Sequence, residues 1–200
     1  MTPAIAVSKG AATRETIIDR ALDIVRSDGF EGLSIGGIAT AANMSKSGVF
    51  AHFGSREDLQ LAVLDAAAQR FTEQVFLPAL RERRGLPRLQ AIAQRWMKWL
   101  RSEQGGCPMV SAAIEYDDRP GPIRDRVVQY QTRLRKELAR AIGMAVETGE
   151  LRADTEPDQL AFEMFGIELA LHHDSRLFGF DETIERSERA FERLITSYRA

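Results

Sequence analysis

Apolar residues recur along this chain at the three- and four-residue spacing of amphipathic helices, and no stretch shows the strict alternation of a half-buried strand. The first apolar stripe ends before Gly29, a residue type favoured just past the end of a helix. Its members are Ile17, Ile18, Ala21, Leu22 and Val25. The pattern therefore predicts an all-α fold.

Later stripes predict five further helices, and each is bounded by helix-breaking residues. Pro122 suits the first position of one helix, Gly149 ends it, Pro157 opens the next, and Asp181 caps the last. These helices are predicted over 55–76, 89–100, 123–146, 157–178 and 181–198. Polar or glycine- and proline-rich connections are predicted at 81–87, 103–108 and 117–122.

Residues 33–59, LSIGGIATAANMSKSGVFAHFGSREDL, predict two short helices joined by a tight turn and followed by the start of a third. Ser34, Ser45 and Ser55 are suitable N-caps for these helices. Asn43 lies where the chain must turn sharply, and Asn tolerates the left-handed conformation. A helix-turn-helix presents its second helix to the major groove of DNA. This segment therefore predicts a DNA-binding module.

The predicted DNA contacts lie on the second helix and at the helix ends beside it. We expect Lys46 to read a base edge and Arg56 to contact a phosphate at the edge of the groove. Gly48 allows a close approach of DNA. The full predicted set is Ser34, Ser45, Lys46, Ser47, Gly48, Phe50, His52 and Arg56.

In these motifs the chain resembles the TetR family of bacterial transcriptional regulators. The resemblance covers the first helix over 13–29, the SKSGVF segment of the recognition helix and the HFGSREDL exit. It departs at Gly36-Gly37, at Phe50 where Tyr is commoner, and at Ala51 where an aromatic residue is frequent. The resemblance implies a helix-turn-helix DNA-binding domain over 1–54 and a helical effector-binding and dimerisation domain over 55–200.

The helix predicted over 157–178 has apolar residues in nearly every direction, so both of its sides must be covered. We expect one side to pack on its own chain and the other on a second copy, with the last helix completing a four-helix interface. The predicted interface residues are Phe165, Leu169, Phe191, Leu194 and Tyr198. The alternative is a central helix within a monomer.

Bulky apolar residues on the middle helices predict a cavity for a small hydrophobic or amphipathic molecule. Glu168 and His172, four residues apart on one helical face, are the candidate polar groups for orienting that ligand. The predicted effector contacts are Trp96, Met109, Phe162, Phe165, Glu168 and His172.

The charge, the cysteine content and the lengths of the apolar runs indicate a class of protein but do not identify its partner. The net charge is −2, and residues 1–60 hold six basic and seven acidic side chains, so DNA affinity must come from the placement of charge. The single cysteine, Cys107, cannot form an internal disulfide and fits a reducing cytoplasm. The chain offers no signal-peptide core and no apolar run of the ~18 residues that would suggest a membrane span.

No catalytic constellation is recognisable, so we expect neither an enzyme nor a cofactor. His172 and His173 diverge by about 100° on a helix, which argues against a shared metal ion. The combined prediction is a homodimeric, cytoplasmic repressor released from a near-palindromic operator by a small effector. Two alternatives remain open: a helical apolar-ligand-binding protein or enzyme that does not bind DNA, and a DNA-binding protein without an effector.

Overall fold

The computed structural model describes residues 9–103 and 106–200, which form ten α-helices. In chain order these are α1 Lys9–Asp28, α2 Ile35–Ala41, α3 Lys46–Phe53, α4 Arg56–Phe71, α5 Leu77–Ala79, α6 Leu86–Ser102, α7 Pro108–Tyr116, α8 Pro122–Glu147, α9 Pro157–Phe178 and α10 Phe180–Tyr198. One isolated antiparallel bridge joins Leu151 to Arg199 within the described residues. The all-α prediction is confirmed.

Side-chain caps and one left-handed residue define α2 and α3. The hydroxyl oxygens of Ser34 and Ser45 each accept a hydrogen bond from a backbone N–H three residues later, at 3.0 Å. Asn43 adopts φ of 52°, as its position in the turn predicts. The backbone N–H of Met44 then bonds to the carbonyl of Ala39 at 2.8 Å, which closes the turn.

A π-helical turn at Thr72–Phe76 connects α4 to the short α5. The hydroxyl of Thr72 donates to the carbonyl of Ala68 at 2.9 Å, a back-bond that often accompanies bending of a helix. Pro78 lies in the next turn and has no backbone N–H to continue the ladder. The predicted helix over 55–76 is therefore correct in extent but ends in an irregular turn.

Two hydrophobic cores divide the molecule. The first joins α1, α2, α3 and most of α4, and it also includes Ala112 and Tyr116 of α7 and Ile123 and Val127 of α8. The second is built by the end of α4 together with α6, α8, α9 and α10. Helix α4 belongs to both cores, so the helices α1–α3 rest directly on the larger helical body. The domain boundary predicted at 54/55 remains a prediction.

The predicted cap of the last helix is wrong. That helix is capped by Gly179, with φ of 96°, and Asp181 lies in its first turn. The first helix implied over 13–29 corresponds to α1, which the structure describes from Lys9 onward. Among the described residues, no helix is both long and apolar enough to cross a membrane.

Candidate DNA-recognition surface and ligand cavity

The recognition helix α3 is held by two buried side chains and is exposed elsewhere. Val49 and Phe53 pack into the first core. With about 100° between successive residues, Ser47 and Ala51 lie opposite this buried side. Both are exposed and small. This helix can therefore approach another surface closely along its outward face.

Lys46 lies at the start of α3, and its side chain passes over α2. A Cβ atom at Gly36 would lie 3.2 Å from Cε and 3.6 Å from Nζ of Lys46. A larger residue at position 36 would crowd the lysine. The contact favours glycine at position 36 but does not require it, because the end of an exposed lysine can move aside; inside a helix glycine costs about 1 kcal/mol relative to alanine.

The other predicted DNA contacts lie on or beside the same surface. Phe50 is 55% exposed, and His52 is half-buried with its ring centroid 6.4 Å from that of Phe53. The Ser45 and Ser47 hydroxyls are 3.1 Å apart, so one donates to the other. The structure thus brings the predicted residues of α3 together, although their contact with DNA remains a prediction.

Arg56 is engaged by the protein itself. Its Nη2 donates to the backbone carbonyl of Glu31 at 2.8 Å and to Glu31 Oε2 at 3.1 Å. Arg119 pairs with the same carboxylate. Hydrogen bonds from the two arginines lower the pKa of Glu31. The predicted phosphate contact would require Arg56 to exchange or share this partner.

Glu115 of α7 binds the loop between α1 and α2. Its carboxylate oxygens accept hydrogen bonds from the backbone N–H groups of Phe30 at 3.0 Å and Glu31 at 2.8 Å. Gly29 adopts φ of 72°, and a Cβ atom there would collide with the Glu115 carboxylate. From its position in the sequence, Glu115 is expected in a solvated helix end, because its partners lie more than 80 residues away.

Gln60 and Tyr116 complete this junction. Gln60 Nε2 donates to the carbonyl of Phe30 at 2.9 Å and lies 3.0 Å from the hydroxyl of Tyr116. The rings of Tyr116 and Phe30 meet edge to face at 6.4 Å. The sequence offers one signal for this contact: Gln60 lies four residues before Leu64, on a side of α4 that is otherwise apolar.

A second ion pair joins the two parts of the molecule. Arg26 of α1 donates to both oxygens of the buried Glu103, at 2.6 and 3.1 Å. The paired geometry is that of a bidentate guanidinium–carboxylate contact. This pair fixes the end of α6 against α1.

The larger helical body contains a cavity of about 590 Å³. Its apolar wall is rich in aromatic rings from α4, the π-helical turn, α6, α8 and α9: Phe71, Phe76, Trp96, Tyr130 and Phe165. Three predicted effector residues, Trp96, Met109 and Phe165, line this cavity. The wall from α4 and α8 was not predicted, because those residues read simply as core positions in the sequence.

The other three predicted effector residues do not line the cavity. Phe162 is 64% exposed and lies on the surface of the chain. Glu168 and His172 are buried among the helices. His172 Nε2 accepts a hydrogen bond from the backbone N–H of Cys107 at 3.1 Å, and Cys107 is part of the cavity wall. His172 therefore holds the wall at the start of α7.

Burial shifts the pKa values of Glu168 and His172. It raises the pKa of Glu168 well above 4.5, and Glu168 Oε2 has no hydrogen-bond partner among the described residues. Burial, aided by Arg176 and His173, lowers the pKa of His172 from 6.5 to about 4. Both side chains are therefore neutral at pH values between these shifted pKa values.

Polar residues form one side of the cavity. Asp65 of α4 pairs with Arg126 and accepts a hydrogen bond from the hydroxyl of Tyr130 at 2.7 Å. Asp65 and Tyr130 both line the cavity, as do Gln131 and Glu137 of α8. The cavity is thus suited to a molecule with an apolar body and a polar end.

The outer face of α9 is an exposed apolar stripe, which we call the α9 stripe. It consists of Phe162, Gly166, Leu169, Ala170, His173 and Leu177, spaced as one helical face. Leu169, predicted to lie in a dimer interface, is 39% exposed there. This stripe is a surface that a second copy could cover.

The other predicted interface residues lie elsewhere. Phe165 is only 8% exposed and lines the cavity, with Arg135 stacked on its ring at 4.2 Å, so little of its side chain is available to a second chain. Phe191, Leu194 and Tyr198 are partly buried against the core of their own chain. The outward face of α10 is charged, so apolar surface for a dimer comes chiefly from α9.

Comparisons with known proteins identify both parts of the chain. Residues 17–63 match the family described as "Bacterial regulatory proteins, tetR family", and residues 85–191 match "Tetracyclin repressor-like, C-terminal domain". The HTH-type transcriptional regulator SrpR of Pseudomonas putida is 30% identical over 142 residues, which cover 70% of this chain. That segment spans 63% of SrpR.

Solved structures share the fold. A TetR-family regulator from Cytophaga hutchinsonii is 20% identical and superposes with a TM-score of 0.84, over 98% of this chain and 99% of its own. AibR, solved in complex with isovaleryl coenzyme A and operator DNA, is 23% identical with a TM-score of 0.68, over 80% of this chain and 86% of its own.

Proposed function

The chain belongs to the TetR family of bacterial regulatory proteins, and from this membership we propose that it is a homodimeric transcriptional repressor. It binds a near-palindromic operator through α3 and leaves that operator when a small hydrophobic or amphipathic effector enters the cavity. The protein acts in the cytoplasm, where the operator lies. No catalytic step belongs to this proposal.

The observation that supports DNA binding most directly is the geometry of α3. The helix is anchored by Val49 and Phe53 and exposes Lys46, Ser47 and Phe50 on one continuous surface. Its sequence from 46 to 53 contains no acidic residue, which suits a surface that approaches phosphates. The AibR complex gives a precedent for a protein of this fold that binds both operator DNA and a small molecule, isovaleryl coenzyme A.

The cavity supports an effector-dependent regulator. Its volume of about 590 Å³ lies within the range of small-molecule sites, and aromatic side chains dominate its wall. Cys107, Met109 and Val110, at the start of α7, line the cavity, whereas Glu115, near the other end of that helix, holds the α1–α2 loop. A ligand that repositions α7 would therefore change the orientation of the DNA-binding head.

The test is a gel shift on the intergenic DNA upstream of the gene, with wild-type protein and a Ser47→Glu variant. The added carboxylate lies on the outward face of α3 and should repel phosphates while leaving the fold intact. A matched Glu188→Gln variant on the charged face of α10 should bind as wild type does. Retention of a specific shift by Ser47→Glu would contradict recognition through α3.

The two alternatives give different results. A helical apolar-ligand-binding protein or enzyme without DNA binding would give no sequence-dependent shift with any of the three proteins. A DNA-binding protein without an effector would give the shift, but no compound would weaken it. Reciprocity requires that a true effector lose affinity in the presence of operator by the same factor that operator loses affinity in its presence.

A further inference from the structure

Phe50 is a large apolar side chain that the protein leaves exposed at the centre of its recognition helix. More than half of its surface is accessible, and it makes no ring contact within residues 9–103 and 106–200. It lies one turn after Lys46 and therefore on the same flank of α3. A ring in this place would enter any groove that α3 enters.

The chemistry of phenylalanine restricts what it can contact there. The ring has no hydroxyl, so it cannot donate a hydrogen bond to a phosphate or to a base edge. The major groove of B-DNA presents one apolar group, the C5-methyl of thymine, and aromatic or small apolar side chains are its usual partners. The exposed ring is thus matched to thymine and to no other base.

The neighbours of Phe50 allow that contact. Ser47 and Ala51 present only small side chains on the outward face of α3, so the helix can lie deep in the groove. The end of the Lys46 side chain lies beside Gly36 of α2. The ring and the lysine can then contact successive base pairs.

We propose that Phe50 reads a thymine methyl group at one symmetric position of each operator half-site. This inference rests on the proposed DNA-binding function and adds a specificity determinant to it. Burial of one methyl group changes an equilibrium by about fourfold. A palindromic site offers two such contacts to a dimer, so losing both should weaken binding by about fifteenfold.

The experiment uses an operator selected from a randomised duplex pool with the wild-type dimer. Each thymine pair related by the palindrome is then replaced by deoxyuridine, which removes only the methyl group. Wild-type protein should lose about fifteenfold in affinity at one symmetric position. Phe50→Ala should bind the thymine and deoxyuridine duplexes equally, whereas Phe50→Tyr, which keeps the ring, should retain the preference.

Two controls separate this contact from a general weakening. Phe50→Ala should leave the slope of log K against log salt unchanged, because the ring neutralises no phosphate. Ile114→Ala removes a side chain of α7 that is 67% exposed, and it should preserve the thymine preference.

The outcomes distinguish this inference from the function on which it rests. If the wild-type dimer enriches no sequence from the pool, the proposed DNA binding itself fails. If a sequence is enriched but deoxyuridine has no effect at any position, or its effect persists in Phe50→Ala, the Phe50 contact is refuted while DNA binding stands. Loss of the effect in Ala51→Gly alone would move the contact to Ala51.

Discussion

At the scale of single residues, two buried side chains one turn apart on α9 respond to pH in opposite directions. The unfolded chain binds a proton at His172 below pH 6.5, whereas the folded protein resists doing so until about pH 4. Folding stability therefore falls as the pH falls through this window. The folded protein keeps Glu168 protonated above pH 4.5, so its contribution to stability falls as the pH rises.

Substitution should separate these two effects. The free energy of unfolding of wild type minus that of Glu168→Gln should fall as the pH rises above 4.5, because this difference isolates the glutamate. The same difference for His172→Gln should rise with pH between 4 and 6.5, because it isolates the histidine. Denaturant titrations of the three proteins at several pH values measure this, and all other groups cancel on subtraction. A difference between wild type and Glu168→Gln that is constant with pH would contradict the buried ionisation.

The charge of Glu31 should affect operator affinity through its contact with Arg56. Because its carboxylate binds Arg56, Glu31→Gln should loosen this arginine, which keeps only its bond to the backbone carbonyl of residue 31, and make it available to the DNA. Operator affinity should rise, and the salt dependence should steepen by about 0.9 per subunit for one new phosphate contact. The double variant Glu31→Gln/Arg56→Ala should lose the added slope. An unchanged slope in Glu31→Gln would show that the Glu31 carboxylate does not keep Arg56 from the DNA.

At the scale of elements, α7 connects the cavity to the DNA-binding head. Its first turn is held by the bond between the Cys107 amide and His172, and its last turn binds the α1–α2 loop through Glu115. A second helix contacts the same loop, since Gln60 of α4 donates a hydrogen bond to the carbonyl of Phe30.

Glu115→Ala tests the role of α7 as a coupling element. The variant removes two hydrogen bonds to the loop but no residue of α3 or of the cavity. Operator affinity and effector affinity, each measured alone, should stay within about threefold of wild type, while the coupling between them, typically ~1–3 kcal/mol, should shrink. Calorimetric titration of effector with and without operator gives the coupling. Full coupling in the variant would assign transmission to α4.

Local chemistry explains which elements could be predicted from the sequence. Ser34, Ser45, Asn43 and Pro122 act within one turn of their own positions, and the structure has all four where the sequence predicted them. Glu115 depends on partners brought near only by the tertiary fold. No periodicity along the chain could have identified that contact.

Helix α9 shows that the candidate site, too, could be predicted only in part from the sequence. A helix that is apolar all round indicates that both sides are covered, but not by what. Phe165 was assigned to both the cavity and the dimer interface, and it lines the cavity with little of its side chain exposed. Phe162 was assigned to the cavity and lies on the exposed stripe.

At the scale of the whole molecule, the α9 stripe determines how two copies would meet. Each chain would supply one largely apolar helix face, flanked by the charged outer face of α10. A symmetric pairing brings the two stripes against each other and places two α3 helices at a fixed separation. Operator spacing is therefore a property of the pair of chains.

Leu169→Asp should convert the dimer to a monomer. The residue is partly exposed in one chain, so the variant should fold, but pairing would bury two carboxylates without partners. Sedimentation velocity should show the monomer, and operator affinity should fall with it. Glu192→Gln, on the outer face of α10, is the matched control and should remain dimeric. A dimeric Leu169→Asp protein would place the interface elsewhere.

Cys107, the single cysteine of the chain, lines the cavity and is buried, and burial raises its pKa. A thiol reagent can reach it only while the cavity wall is transiently open, because the thiolate is the reactive form and needs solvent. The speed of alkylation by iodoacetamide therefore measures how often the wall opens. A compound that fills the cavity should slow this reaction in proportion to its occupancy, which allows candidate effectors to be screened without any DNA.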